Sequence, residues 1–105
     1  MNLQKMMKQA QDMQQKMTEM QTRLEASEFE GQAGGGMVKL RISGKHQLLK
    51  ADIDASILKP EEKEMVEDLL VAAFNDARKK VDDQFSREMG AISGSLQLPP
   101  GFKLP

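Results

Sequence analysis

Leu3, Met6, Ala10, Met13, Met17, Met20 and Leu24 recur at spacings of 3, 4, 3, 4, 3 and 4. Apolar positions at that spacing form a heptad seam, and the intervening Gln, Lys and Glu residues are good helix formers. The pattern predicts one helix over residues 3–24, roughly 33 Å long at ~1.5 Å per residue. An apolar stripe of this length must meet another helix.

Past residue 26 the period changes. Phe29 and the glycines Gly31, Gly34, Gly35 and Gly36 predict a short strand and a flexible connection. From Met37 the period is two: Val38, Leu40 and Ile42 point one way, Lys39, Arg41 and Ser43 the other. Gly44-Lys45 is read as a two-residue hairpin turn. The return strand, 46–53, should place Leu49, Ala51 and Ile53 on one face and Leu48, Lys50 and Asp52 on the opposite one. A loop over 54–59 follows.

Pro60 is expected to open a second helix, since the first helical position needs no N–H. Glu61, Glu62 and Glu64 suit its positive end. Val66, Leu69, Leu70, Ala73, Ala77, Val81, Phe85 and Met89 carry the apolar face, and Gly90 marks the expected stop. Residues 60–89 would span roughly 45 Å. A compact chain of this size has a radius of gyration of only about 13 Å, so the helices must project from a small body as an antiparallel arm. The fold class is α+β: a three-stranded antiparallel sheet (28–53) with two long helices in a single domain, 1–105. So small a core invites completion by a second copy, and a homodimer is expected. The residues 93–105, SGSLQLPPGFKLP, should be extended. Their Leu96, Leu98, Phe102 and Leu104 should dock on this chain, on its partner or on another protein.

Composition narrows the function. The 105 residues include no cysteine, which removes disulfides and thiolate chemistry and fits a reducing, cytoplasmic setting. No apolar run is long enough for a signal peptide core or a membrane span. Net charge is -1, so there is no overall basic footprint of the kind nucleic-acid binding usually leaves. The charge is uneven: residues 1–26 carry four basic and three acidic groups, residues 57–89 six and nine. With four Phe and no Tyr or Trp, a stacking surface for single strands is not expected.

Candidate chemistry is thin. The run Gly34-Gly35-Gly36 precedes a strand, whereas phosphate loops follow a strand and open a helix. His46, the single histidine, has no triad around it. With no cysteine it leaves only carboxylates for a metal, and no metal or other cofactor is expected. The nine methionines, four of them on the seam, read as adaptable packing. Glu61, Glu64, Glu67 and Asp68 read as a solvated helix face. No catalytic residue, and hence no small-molecule substrate, is assigned. The basic groups remain: Lys5 and Lys8 near the expected free tip beside Arg87, Arg78, Lys79 and Lys80 in a run, and Lys16 and Arg23 along the first helix. Each could neutralise a phosphate.

Four stretches in order, MMKQAQDMQQKM, GQAGGGMVKLRISG, DLLVAAFNDARKK and LQLPPGFKLP, resemble the YbaB/EbfC family of bacterial nucleoid-associated proteins nearly end to end. The resemblance implies a non-enzymatic cytoplasmic homodimer, joined through its central sheets, whose helical arms grip duplex DNA. It also implies a role in nucleoid organisation and, in some members, gene regulation. Lys5, Lys8, Lys16, Arg23, Arg78, Lys79, Lys80 and Arg87 are the matching basic positions on the two helices. They would position the protein without reading bases, and specificity would be low or shape-based. A scaffold for replication or recombination machinery, acting through the apolar tail or the Met-rich helix, is the alternative.

Overall fold

The computed structural model describes residues 2–95. The order is α1 (Leu3–Ala26), β1 (Glu28–Ala33), β2 (Val38–Ser43), β3 (Leu48–Ile53) and α2 (Lys63–Ser95), with single 3₁₀ turns at Ala55–Ile57 and Pro60–Glu62 before α2. The strands form one antiparallel sheet in the order β1-β2-β3. Asn2 starts α1: its side-chain oxygen accepts from the N–H groups of Gln4 and Lys5 at 3.0 and 3.4 Å, occupying donors that the first turn leaves free.

The two connections within the sheet use left-handed backbone differently. Between β1 and β2, Gly34, Gly35 and Gly36 adopt φ of 65°, 66° and 93°. Three consecutive positive-φ residues are costly for any side chain but glycine. The glycine run is therefore a chain reversal, with Met37 N–H donating to Gly34 O at 3.3 Å. Between β2 and β3 the expected two-residue turn is not found. Ser43 N–H donates to Gln47 O, and Ser43 O accepts from His46 N–H, both at 2.9 Å. This closes a longer loop in which His46, not a glycine, takes positive φ (65°). The buried Ser43 hydroxyl oxygen accepts from the N–H groups of Lys45 and Gln47 at 3.1 and 3.3 Å, giving the loop local partners that a two-residue turn would not need.

The longer loop changes the register. Val38 pairs with Ile53, Leu40 with Ala51 and Arg41 with Lys50, but Ile42 pairs with Leu48. Leu49 is the extra residue of a bulge. Leu48, not Leu49, thus stands beside Ile42, which corrects the face expected from alternation alone.

Helix α2 lies across β1 and β2. Ala73, Ala77 and Val81 are buried, as are Val38, Leu40 and Ile42 beneath them. The approach is close because Gly31 faces Ala73 and Ala77: a Cβ there would collide with Ala73 O and Ala77 N of α2. Beyond the sheet α2 meets α1, and Met20, Leu24, Val81 and Ile92 share one apolar cluster, with Met13, Met17 and Met89 at its margin.

Two expectations about α2 are corrected. Pro60 opens a 3₁₀ turn, and α2 proper starts at Lys63. Nor does α2 stop at Gly90; it continues to Ser95. A helical glycine costs about 1 kcal/mol relative to alanine, and burial of Ile92 against α1 offsets that cost. Residues 93–95, expected in the extended tail, are therefore helical; 96–105 lie outside the described residues. The described chain measures 69 × 25 × 15 Å, with a radius of gyration of 19.6 Å. That is well above the ~13 Å of a compact chain this size.

Candidate nucleic-acid interface

The arm is built mainly by α1. The first five turns of α2 cover the sheet, so only its last part runs beside α1. The level is set by Arg23, whose guanidinium donates to Glu88 at 2.8 Å. Lys16 lies further out, in a shallow depression shared with Glu19, Ala91 and Ile92. Arg87 is therefore level with the root of the arm. Lys5 lies 18 residues from Arg23 along α1, ~27 Å away, and the expected cluster of Lys5, Lys8 and Arg87 at the tip is not formed. The apolar periodicity of α2 reads the same along its whole length, whereas about half of the helix is the second layer of the body.

The eight basic positions differ in how they are held. Lys80 is structural: its ammonium donates to Glu30 O at 2.6 Å and lies 3.5 Å from Asp76. Asp76 in turn accepts from Gln32 N–H at 3.0 Å. Together they satisfy backbone groups on the outer edge of β1. The Gln32 amide, followed by the charge of Lys80, lowers the Asp76 pKa below its ordinary value. Arg23 is engaged by Glu88. Arg78 sits 4.0 Å from Asp82, and Arg87 donates to Gln84 at 3.0 Å. Lys5, Lys8 and Lys79 are exposed and form no ion pair with another described residue. Lys5 and Lys8 are three residues apart, which puts them on one helix face.

A second basic group was missed from the sequence. On the sheet face opposite α2, Arg41 stands between Glu30 on β1 and Lys50 on β3, and Lys39 stands between Gln32 and Asp52. The alternation placed Lys39 and Arg41 on one face and Lys50 on the polar face of the return strand, and the observed register sets Lys50 directly opposite Arg41. Like charges directly opposite one another destabilise a sheet, so Arg41 and Lys50 favour an anionic neighbour. The hairpin tip also reaches α2, with His46 Nε2 3.8 Å from Asp82.

The sheet edges are unequal. The β1 edge is closed by Asp76 and Lys80, whereas among the described residues β3 pairs only with β2. β3 is exposed over most of its length, with Leu48 54% and Leu49 46% accessible.

Among the described residues no group of three or more His, Asp or Glu could hold a metal ion, and no helix is long and apolar enough to cross a membrane. What remains is a projecting helix whose Lys5 and Lys8 form no ion pair with another described residue, and a half-covered sheet. The same fold occurs in the crystal structure of an uncharacterized protein of Helicobacter pylori. The TM-score is 0.74 at 24% identity, with 88% of this chain and 97% of that one covered. Sequence relatives are closer. A nucleoid-associated protein of Granulibacter bethesdensis is 51% identical over 104 residues, covering 99% of this chain and 97% of its own length. One of Rickettsia bellii is 50% identical over 105 residues with the same coverage. The model of the YbaB/EbfC DNA-binding family matches residues 1–96. With the match spanning both helices and the sheet between them, the chain belongs to the YbaB/EbfC DNA-binding family.

Proposed function

We propose that this protein is a homodimer that grips duplex DNA through the phosphate backbone, with its α1 arms as the principal contact. The observation that carries this is the pair Lys5 and Lys8, which form no ion pair with another described residue and lie on one face near the end of a projecting helix. Lys16, Lys79, Arg78 and Arg87 extend the contact toward the body. Arg23 and Lys80 complete the set by contributing positive field while held by their own partners. Phosphate contacts fix position without reading bases, so specificity is low or follows DNA shape. The setting is the cytoplasm at the nucleoid, with roles in nucleoid organisation and gene regulation. The whole chain, 1–105, acts as one domain without enzymatic activity.

The dimer seam is β3. A bare edge with exposed leucines is a template for a second strand, and the closed β1 edge leaves β3 as the available one. Two copies joined there carry two arms.

The test is fluorescence anisotropy of a labelled duplex of about 30 base pairs, at low and moderate salt. Each phosphate contact contributes about 0.9 to the slope of log K against log salt. Lys5→Gln/Lys8→Gln should therefore lower the slope by about two per arm engaged. Lys80→Gln should change stability more than slope. Salt-sensitive binding that the double variant retains in full would refute the tip as the grip. A folded protein with no binding at low salt would favour the scaffold reading, for which the exposed Leu3, Met6 and Met7 are the observation, and whose apolar contacts would resist salt.

A further inference from the structure

Half of the hydrogen-bonding capacity of β3 is already committed. Ser43 N–H donates to Gln47 O at 2.9 Å and Asp54 N–H to Met37 O at 2.8 Å. Between them Lys39 lies opposite Asp52 and Arg41 opposite Lys50. Backbone groups alternate in direction along an antiparallel strand. Lys50 and Asp52 therefore direct theirs at β2, while Ala51 and Ile53 turn their N–H and C=O groups to the open edge. Helix α2 lies over β1 and β2, and β3 is exposed from Leu48 to Asp52.

A second copy joined edge to edge about a twofold axis contributes the same strand, running antiparallel. Residues opposite one another share a sheet face, so one residue of β3 must sit on the axis. Three choices keep most of the strand paired. With Lys50 on the axis, Lys50 faces the partner's Lys50; with Asp52 there, Asp52 faces the partner's Asp52. Like charges directly opposite destabilise a pair. With Ala51 on the axis, Lys50 faces the partner's Asp52 and Asp52 faces the partner's Lys50. These are the sites without backbone bonds, where side chains stand closest, with Cα atoms about 4.5 Å apart. Charge selects this register, and the outward backbone groups of Ala51 are aligned to exchange both bonds with the partner's Ala51.

The same register sets Leu48 opposite the partner's Asp54. Asp54 accepts from Ser56 N–H at 2.9 Å and starts the turn Ala55–Ile57, which leads to an apolar depression lined by Ile57, Leu58 and Val66. Leu48 pairs with Ile42, and Ile57 packs with Val38, Leu40 and Ala73. Both therefore belong to the α2 side of the sheet, and an axis normal to the sheet keeps them on one side. Leu48 and Leu58, 54% and 59% exposed in the single chain, come together across the seam.

We propose that two copies join β3 to β3 with Ala51 on the twofold axis, an ion pair between Lys50 and Asp52 on each side of it, and Leu48 of each copy at the depression beside Ile57 and Leu58 of the other. This rests on the β3 seam of the homodimer and fixes its register. Contact of the arms with DNA is independent of it.

Single cysteines in the full-length protein read the register, because the chain has none of its own. Ala51→Cys should oxidise to a linked dimer several-fold faster than Lys50→Cys or Asp52→Cys. On the axis the two Cα atoms are ~5.5 Å apart, within disulfide reach; at 50 and 52 each residue meets its own copy diagonally, at about 7–8 Å, beyond that reach. A fastest link at 50 or 52, or equal rates at all three, would overturn the register and leave the β3 seam standing. A dimer that links at none of the three would overturn the seam, and a parent chain that sediments as a monomer would overturn the homodimer; the register falls with either. The ion pairs have a readout of their own. Lys50→Glu and Asp52→Lys should each raise the dimer dissociation constant several-fold. An equimolar mixture of the two variants should recover dimerisation, since a mixed dimer restores opposite charges at both sites. A mixture no tighter than either variant alone would overturn the pairing.

Discussion

The body and the arm of this protein are packed by different means. In the body, rigid β-branched and small residues meet at close range: Val38, Ile42, Ala73 and Ala77 are fully buried, and Gly31 lets α2 approach the sheet backbone. In the arm the contact is made by methionines. Met20 is buried, Met13 and Met17 are half-buried, and Leu3 and Met6 are open. Methionine fills irregular gaps and tolerates change. The body is thus a close-fitted layer that sets geometry, and the arm is a looser pairing that can adapt to what it holds.

The sharpest way to break that contrast is at Gly31. Gly31→Val should cost about 4 kcal/mol, above the usual range for overpacking, because backbone of α2 and not a movable side chain stands where the Cβ would go. Urea denaturation of the purified variant measures it, and a cost under about 1 kcal/mol would mean the layers are not close-fitted. Next is truncation on each side of the comparison. Ile42→Ala should lose about 3 kcal/mol by leaving a cavity between sheet and helix, and Met13→Ala about 1 kcal/mol because its site is half open. Equal losses in thermal or urea unfolding would erase the distinction between the regions.

Gly35 gives a smaller effect. An added Cβ there has nothing within 4 Å, so Gly35→Ala bears only the strain of φ 66°, about 1 kcal/mol. A valine at the same position should be worse, and a Tm unchanged by either substitution would contradict the left-handed turn. The smallest effect concerns Asp76. Its folded pKa is lowered by the Gln32 N–H and by Lys80, so its contribution is present above the ordinary aspartate range and is lost as pH falls through the folded value. Asp76→Asn should therefore be less stable than the parent near neutrality, and the two should converge in acid. Tm measured from pH 7 down to about 3 checks this, and a gap that widens in acid would have the wrong sign.

The resemblance carried by four separated stretches was enough to place the chain in its family. The eight basic positions were legible as residues but not as an arrangement. Lys80 reads like its neighbour Lys79, yet only Lys80 lies over a strand edge with a carbonyl to accept from it. Arg87 was expected at the tip because its helix seemed wholly part of the arm. Nothing local shows that Ala73, Ala77 and Val81 are committed to the sheet.

The sequence by itself determined the elements: the heptad spacing made α1, the alternation of Val38, Leu40 and Ile42 made β2, and the glycine run made the reversal before it. These follow from periodicity and local backbone sterics, which act over a few residues. Tertiary structure alone decided how those elements slide against one another. It set the level at which Arg23 meets Glu88 and the continuation of α2 past Gly90 to bury Ile92. Each is fixed by a contact between residues distant in the chain, whose free energy outweighs a local preference of about 1 kcal/mol that the sequence displays plainly.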